Sequence, residues 1–383
     1  MITAIVSVAM FLVMVSLHEF GHFIVGKILN FRINEFSIGM GPAIFKKQKG
    51  ETQYSLRILP LGGYCKFEGE DEVENSDPRA FANQKAWKRL LVLLAGGIFN
   101  IILGFALFVV LVIATSPVST NVVDKVVEHS YIEQLGIKSG DEIVAINGSS
   151  VSFYNDISLY TQNFTADETA EITVKRDGEK LKFSFKPTEQ VIKTTYTDTG
   201  IQVESSINGN ATARFVEYSD KAPKKDELVG QSKTTTKYII GFTPTQKDIN
   251  FLNVWGEAWN ETKFVVKLVY QSLWQMITGK IGINEMSGPV GIVTEVSNAV
   301  NSGSNSWLYV ASLIALLTIN LGVFNLLPIP ALDGGRILFV LIELIRRKPI
   351  PPEKEGIVHA VGMALLILFI LFISFNDIMK LFA

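Results

Sequence analysis

In LHEFGHF, residues 17–23, a carboxylate and two imidazoles interrupt an otherwise apolar run. From Met1 to Gly26, Glu19 is the only Asp, Glu, Lys or Arg. An ionisable group at bilayer depth costs about 3 kcal/mol on insertion scales, so such groups are as a rule paired and functional. HEFGH is an HExxH pattern. On a helix, positions i and i+4 lie about 40° apart around the axis and ~6 Å apart along it. His18 and His22 can therefore reach one zinc ion. Glu19 is turned about 100° away, where it can address a water on the metal instead of the metal. A hydrolytic zinc takes three protein ligands and keeps a fourth position open.

The candidate third ligand is Asp333, in NLLPIPALDGGR at 325–336. His22 lies five residues before Lys27, and Asp333 three residues before Arg336. Both apolar runs lead into basic loops, so the two groups share one depth. Pro328 and Pro330 break helical regularity just before the Asp, which a membrane bundle tolerates where backbone lines a cavity.

Four elements of membrane-spanning length must carry these groups. The chain has 383 residues, is 48% hydrophobic and 19% charged, with mean hydropathy +0.29. That composition fits a membrane protein with one soluble portion. A net charge of −2 gives no sign of a nucleic-acid partner, and the single Cys65 excludes an intrachain disulfide. The first run has no basic segment before it and no small-residue cleavage pattern after it, so it reads as a retained span. Uncharged runs within 90–123, 296–332 and 356–376 give three more, each reaching the ~20 residues a crossing needs. Eleven Lys and Arg fall between Lys27 and Arg89, and five between Arg336 and Lys354. The positive-inside rule puts both loops in the cytoplasm and both termini, with the long 118–300 segment, outside.

The intervening segments divide by pattern. In QYSLRI, Tyr54, Leu56 and Ile58 alternate with Gln53, Ser55 and Arg57, which predicts a strand burying its apolar face. The 33–67 region is either a small sheet whose edge pairs with an extended substrate or a plain hairpin. ITVKRDGEKLKFSF reads as a hairpin turning at Asp177-Gly178, and FYNDISLYTQNF has helical spacing. Residues 251–277 are amphipathic, with Phe251, Trp255, Trp259, Val266, Val269 and Leu273 on one side, as expected of a helix at the membrane surface.

Leu135-Gly136-Ile137, Gly140-Asp141, Ile143 and Ile146-Asn147-Gly148 resemble a bacterial PDZ domain, acting either to capture chain ends or as a steric plug. HEFGH, FSIGMGP, LPLGGY, AGGIFNIIL, the PDZ-like insert, GPVGI at 288–292 and NLLPIPALDGGR together resemble the bacterial site-2 protease family, in its PDZ-containing, anti-sigma-factor-cleaving branch. The resemblance runs in order from about residue 10 to 340. Two departures are a single PDZ-like segment where some members have two, and AGGIFN where Gly-Pro is common.

The implied fold is an α-helical polytopic membrane protein with about four transmembrane helices, a small membrane-associated β-hairpin or sheet, and an inserted extracytoplasmic PDZ-like β-rich domain. The expected order begins with a first span (1–29), a cytoplasmic-side β-rich loop (30–86), a second span (87–117) and the PDZ-like domain (118–187). It continues with a β-rich extracytoplasmic segment (188–250), an interfacial helix and connector (251–300), a third span (301–345) and a fourth span with the C-terminus (346–383). The resemblance implies an intramembrane zinc metalloendopeptidase of a bacterial plasma membrane. His18, His22 and Asp333 would hold Zn2+ and Glu19 would be the general base. Asn325 would either hydrogen-bond substrate backbone or bond between helices. The expected partners are the lipid bilayer and a trimmed single-span membrane protein, such as an anti-sigma factor or a signal-peptide remnant. The alternatives are a membrane transporter, which also places ionisable groups inside a bundle but against which stand only four visible spans and no inverted repeat in the hydropathy, and a catalytically silent PDZ-bearing scaffold, which would leave the full HExxH plus Asp unexplained.

Overall fold

A computed structural model describes residues 2–70, 76–162, 164–217, 229–279, 282, 288–303, 305–348 and 350–382. The helices are α1 (Ile2–Ile28), α2 (Ala86–Ala114), α3 (Tyr154–Thr161), α4 (Val254–Ile277), α5 (Pro289–Val300), α6 (Ser306–Leu326), α7 (Asp333–Arg346) and α8 (Pro352–Phe382). Strands β1 (Ile33–Lys49) and β2 (Thr52–Phe67) follow α1. Strands β3 (Val118–Val126), β4 (Glu142–Ile146), β5 (Ser149–Ser150), β6 (Ala170–Arg176) and β7 (Glu179–Phe185) follow α2. Then come β8 (Thr188–Tyr196), β9 (Gly200–Ile207), β10 (Asn210–Glu217), β11 (Ser232–Ile239) and β12 (Phe242–Lys247).

Among the described residues, α1, α2, α6 and α8 are long and apolar enough to cross a membrane. The protein is thus a polytopic membrane protein with β-structure outside its spans. The chain divides into two compact units, Met1–Phe108 with Val265–Ser302 and Ser306–Ala383, and Val109–Phe264 with Gly303–Asn305.

In the first unit α1 runs along β2, and the sheet is fastened to the helix by aromatic side chains. Phe23 and Phe36 ring centres lie 5.0 Å apart, and Phe20 meets Phe99 of α2 at 6.1 Å. Below them Phe31, Ile33, Phe67, Phe81, Val92, Leu93, Ile337 and Val340 form one buried cluster joining the end of α1, the sheet, the start of α2 and α7. Arg89 donates to Glu343 at 2.5 Å and ties α2 to α7.

The β1–β2 hairpin doubles back. Glu35–Ile38 lies beside Gln53–Leu56 and also beside Gly63–Lys66. Gly39 makes the reversal possible: it has φ 84°, and a Cβ there would come within 2.8 Å of the Leu59 carbonyl oxygen. The expected burial of this strand is reversed. Ser55 is 7% exposed and Ile58 58%, with Leu56, Ile44, Phe45 and Met40 exposed as well. The inward side carries a polar cluster in which Ser55 Oγ and Arg57 Nη2 donate to Glu35 at 2.5 and 2.7 Å. Alternation fixes which residues share a face, and beside a bilayer the apolar face need not be the inner one.

The second unit contains a sheet of order β12-β3-β4-β6-β7, with β5 paired to β4, and a four-stranded sheet of order β10-β9-β8-β11. Val123, Ile132, Ile143, Ile146, Ile172 and Val174 lie at the centre of the first sheet's core. Asp177 and Gly178 turn the β6–β7 hairpin with φ of 49° and 90°, the positive values a two-residue type I′ loop requires. β12 completes the sheet from a point well beyond the strands it joins. On α4 the buried face is Val254, Ala258, Thr262, Val265 and Val269, while Trp255, Trp259 and Trp274 are exposed. Of the expected stripe, Phe251, Trp255 and Trp259 thus lie outward, and Val269 is buried.

Candidate metal centre

His18 and His22 fall one turn apart in the C-terminal half of α1, and both are 7% exposed. Asp333 is the first residue of α7, where the helix N-terminus favours a carboxylate. The chain reaches it through a break. α6 ends at Leu326, Pro328 and Pro330 interrupt the helix, and the Ile329 N–H turns back to the Leu327 carbonyl at 2.6 Å. This tight return needs the glycine after Asp333, because a Cβ at Gly334 would lie 1.8 Å from the Leu327 oxygen.

The three side chains converge. Asp333 Oδ2 lies 3.0 Å from His18 Nε2 and 3.2 Å from His22 Nε2, and the two Nε2 atoms are 3.2 Å apart. His22 Nδ1 donates to the Val92 carbonyl at 2.8 Å, which fixes its tautomer and leaves the Nε2 lone pair pointing at the other two atoms. Asp333 Oδ2 has no hydrogen-bond partner among the described residues. Three buried donor atoms with edges near 3.1 Å fit a small tetrahedral cation: ligand bonds of about 2.0–2.1 Å give edges of roughly 3.3 Å. The donor set, two imidazoles and a carboxylate, is one that zinc accepts.

Glu19 is half-buried on the neighbouring face of α1 and lies against β2, where a Cβ at Gly63 would be 3.7 Å from its Cγ. Asn325 is buried in the last turn of α6, eight residues before Asp333. Two glycines inside the quoted motifs shape the site in a way that the sequence does not show. Gly96 of α2 lies directly under the imidazoles, where a Cβ would come within 2.3 Å of His22 Nε2 and 2.6 Å of His18 Cε1. Gly21 lets α1 approach α2 closely, because a Cβ there would meet the Ala95 oxygen at 2.6 Å. The AGG at 95–97 signals close packing, but not what packs against it.

A buried His-His-Asp cluster in a polytopic bundle, with a carboxylate beside it on the same helix, defines a membrane-embedded metallohydrolase. Residues 6–369 match the model of peptidase family M50, and the chain belongs to that family. It is thus a metalloprotease of the site-2 type, with zinc the expected cofactor, and not a transporter. A Clostridium acetobutylicum protein whose name contains the words zinc metalloprotease is 34% identical, over 98% of this chain and 96% of that protein. Zinc metalloprotease RasP of Oceanobacillus iheyensis is 30% identical over the whole of both chains. The regulator of sigma-W protease RasP of Bacillus subtilis is 28% identical over 99% of each.

Proposed function

We propose that this chain cleaves a trimmed single-span membrane protein, of the anti-sigma-factor or signal-peptide-remnant class, within or near its span. His18, His22 and Asp333 hold the zinc in this reading. The observation that carries it is the convergence of their three donor atoms within 3.2 Å, two of them on a helix long and apolar enough to cross a membrane. Zinc bound there supplies a Lewis acid that acidifies water and polarises a peptide carbonyl. Glu19 takes the proton from the attacking water and returns it to the leaving amine.

A substrate helix has its carbonyls occupied, so it must unwind before attack. The Gly63–Lys66 run of the doubled hairpin is bordered by β1 on one side and by Glu19 nearby. We assign its outer edge to holding the unwound substrate as an added strand, with Asn325 bonding the substrate backbone. The basic loops place the catalytic centre near the cytoplasmic side of a bacterial plasma membrane. The second unit, PDZ-like in its first sheet, then lies outside with both termini and excludes substrates with bulky external domains.

Zinc content tests the ligand set. The purified wild type should retain about one zinc per chain, as should Glu19→Gln, whereas His22→Ala and Asp333→Ala should retain little. Full zinc retention by Asp333→Ala would remove it from the set.

A further inference from the structure

We propose that α8 positions the third ligand: His359 and Gly362 form the seat on which the Pro330–Ala331 segment rests, and this seat sets the direction from which Asp333 meets the two histidines. The proposal rests on Asp333 being a zinc ligand.

Ala331, two residues before Asp333, has φ 77°. A non-glycine residue holds that left-handed conformation where its surroundings enforce it. It lies between α6 and α7, where its N–H has no helical acceptor. That N–H donates to His359 Nδ1 at 3.0 Å. Because Nδ1 accepts, the imidazole proton is on Nε2, which faces Glu355 one turn earlier in α8 at 3.9 Å. The ring also packs against Phe339 of α7, with centroids 5.8 Å apart, and covers Gly335, where a Cβ would lie 3.1 Å from His359 Cε1.

One turn along α8 the contact becomes backbone against backbone. A Cβ at Gly362 would come within 2.3 Å of Pro330 Cβ and within 3.0 Å of its carbonyl carbon and oxygen. No side-chain rotation relieves such a clash, so a larger residue must push α8 away from the break. A cavity of about 350 Å3 bounded by Asp333, Arg336 and His359 lies on this side. The tight contact at Gly362 and the His359 hydrogen bond together hold the segment. His359 is a positioning residue here: it acts on the metal site through the backbone before Asp333. Groups that orient a ligand from outside the coordination sphere change metal affinity by about 10- to 100-fold when removed.

The test uses the full chain in detergent, loaded with zinc, and measures the rate of zinc loss to a chelating dye. His359→Leu and Gly362→Val should lose zinc at least about tenfold faster than the wild type. His359→Asn should behave as the wild type, since its Oδ1 occupies the place of Nδ1 and accepts the same N–H. His359→Gln, whose polar atoms reach the Nε2 position, should resemble His359→Leu. The Asn–Gln contrast remains decisive if the Leu variant misfolds. Equal retention by the wild type, His359→Leu and Gly362→Val, or by the Asn and Gln variants, would overturn the proposal while leaving the ligand set intact. Retention by Asp333→Ala would overturn both.

Discussion

Gly96 shows how narrow the tolerance of the centre is. A single added methyl at 2.3 Å from His22 Nε2 occupies space where the imidazole must stay, so Gly96→Ala should retain little zinc and cleave little substrate. Metal analysis of the purified variant checks this. Glu19→Gln should separate the two properties, keeping zinc while activity falls by about 10^2 to 10^4, the contribution typical of a positioned proton carrier. HEFGH was legible because HExxH spacing is local, and Asp333 because two apolar runs end at matching depths. Gly96, the Val92 carbonyl and the approach of Gly63 to Glu19 were not legible as parts of the site. They act on the histidines and Glu19 only through the crossing of α1 with α2 and with the sheet, and a single sequence does not contain that crossing.

Among the elements, period-two and period-3.6 patterns showed which residues share a face but not which face is inward. The Asp177-Gly178 hairpin was readable because turn chemistry is local. The β2 strand turned its apolar side outward, because near a bilayer apolar exposure has no fixed direction. The α3–α4 contact gives a pH prediction. Asn155 Nδ2 donates to both oxygens of Glu261 at 2.9 Å. Burial, aided by the nearby Glu257 charge and only partly countered by Asn155, raises the Glu261 pKa from 4.5 to about 7. An acid whose pKa rises on folding stabilises the fold fully below its unfolded pKa, here 4.5, and loses that contribution as pH rises through about 7. Melting temperature should therefore decline across that interval, and Glu261→Gln, which keeps a hydrogen-bonding partner for Asn155, should flatten the decline. A thermal scan of both proteins at several pH values checks it.

For the whole molecule, four spans and an inserted β-rich region were legible from hydropathy and turn signals. The contribution of β12 to the first sheet was not, because Phe242–Lys247 joins β3 from more than a hundred residues away, and strand partners that distant leave no local pattern. This matters for any deletion. Removing 118–187 alone would leave β12 without its sheet, whereas replacing 118–247 with a flexible linker removes both sheets together. If the external region excludes bulky substrates, that replacement should allow cleavage of untrimmed membrane proteins that the wild type spares. Unchanged selectivity would assign the region another task.

In the proposed reaction, Glu19 and a zinc held by His18, His22 and Asp333 cut a peptide bond within or near the substrate's span. The most direct test is to incubate the purified, zinc-loaded protein in detergent with a trimmed single-span membrane protein and to map the products by mass, beside Glu19→Gln and a chelator-treated sample. The wild type should cut within or near the span, Glu19→Gln and the chelated sample should not, and activity should return when zinc is restored to the chelated protein. Equal cleavage by the wild type and by Glu19→Gln, with zinc bound in both, would contradict the proposed reaction.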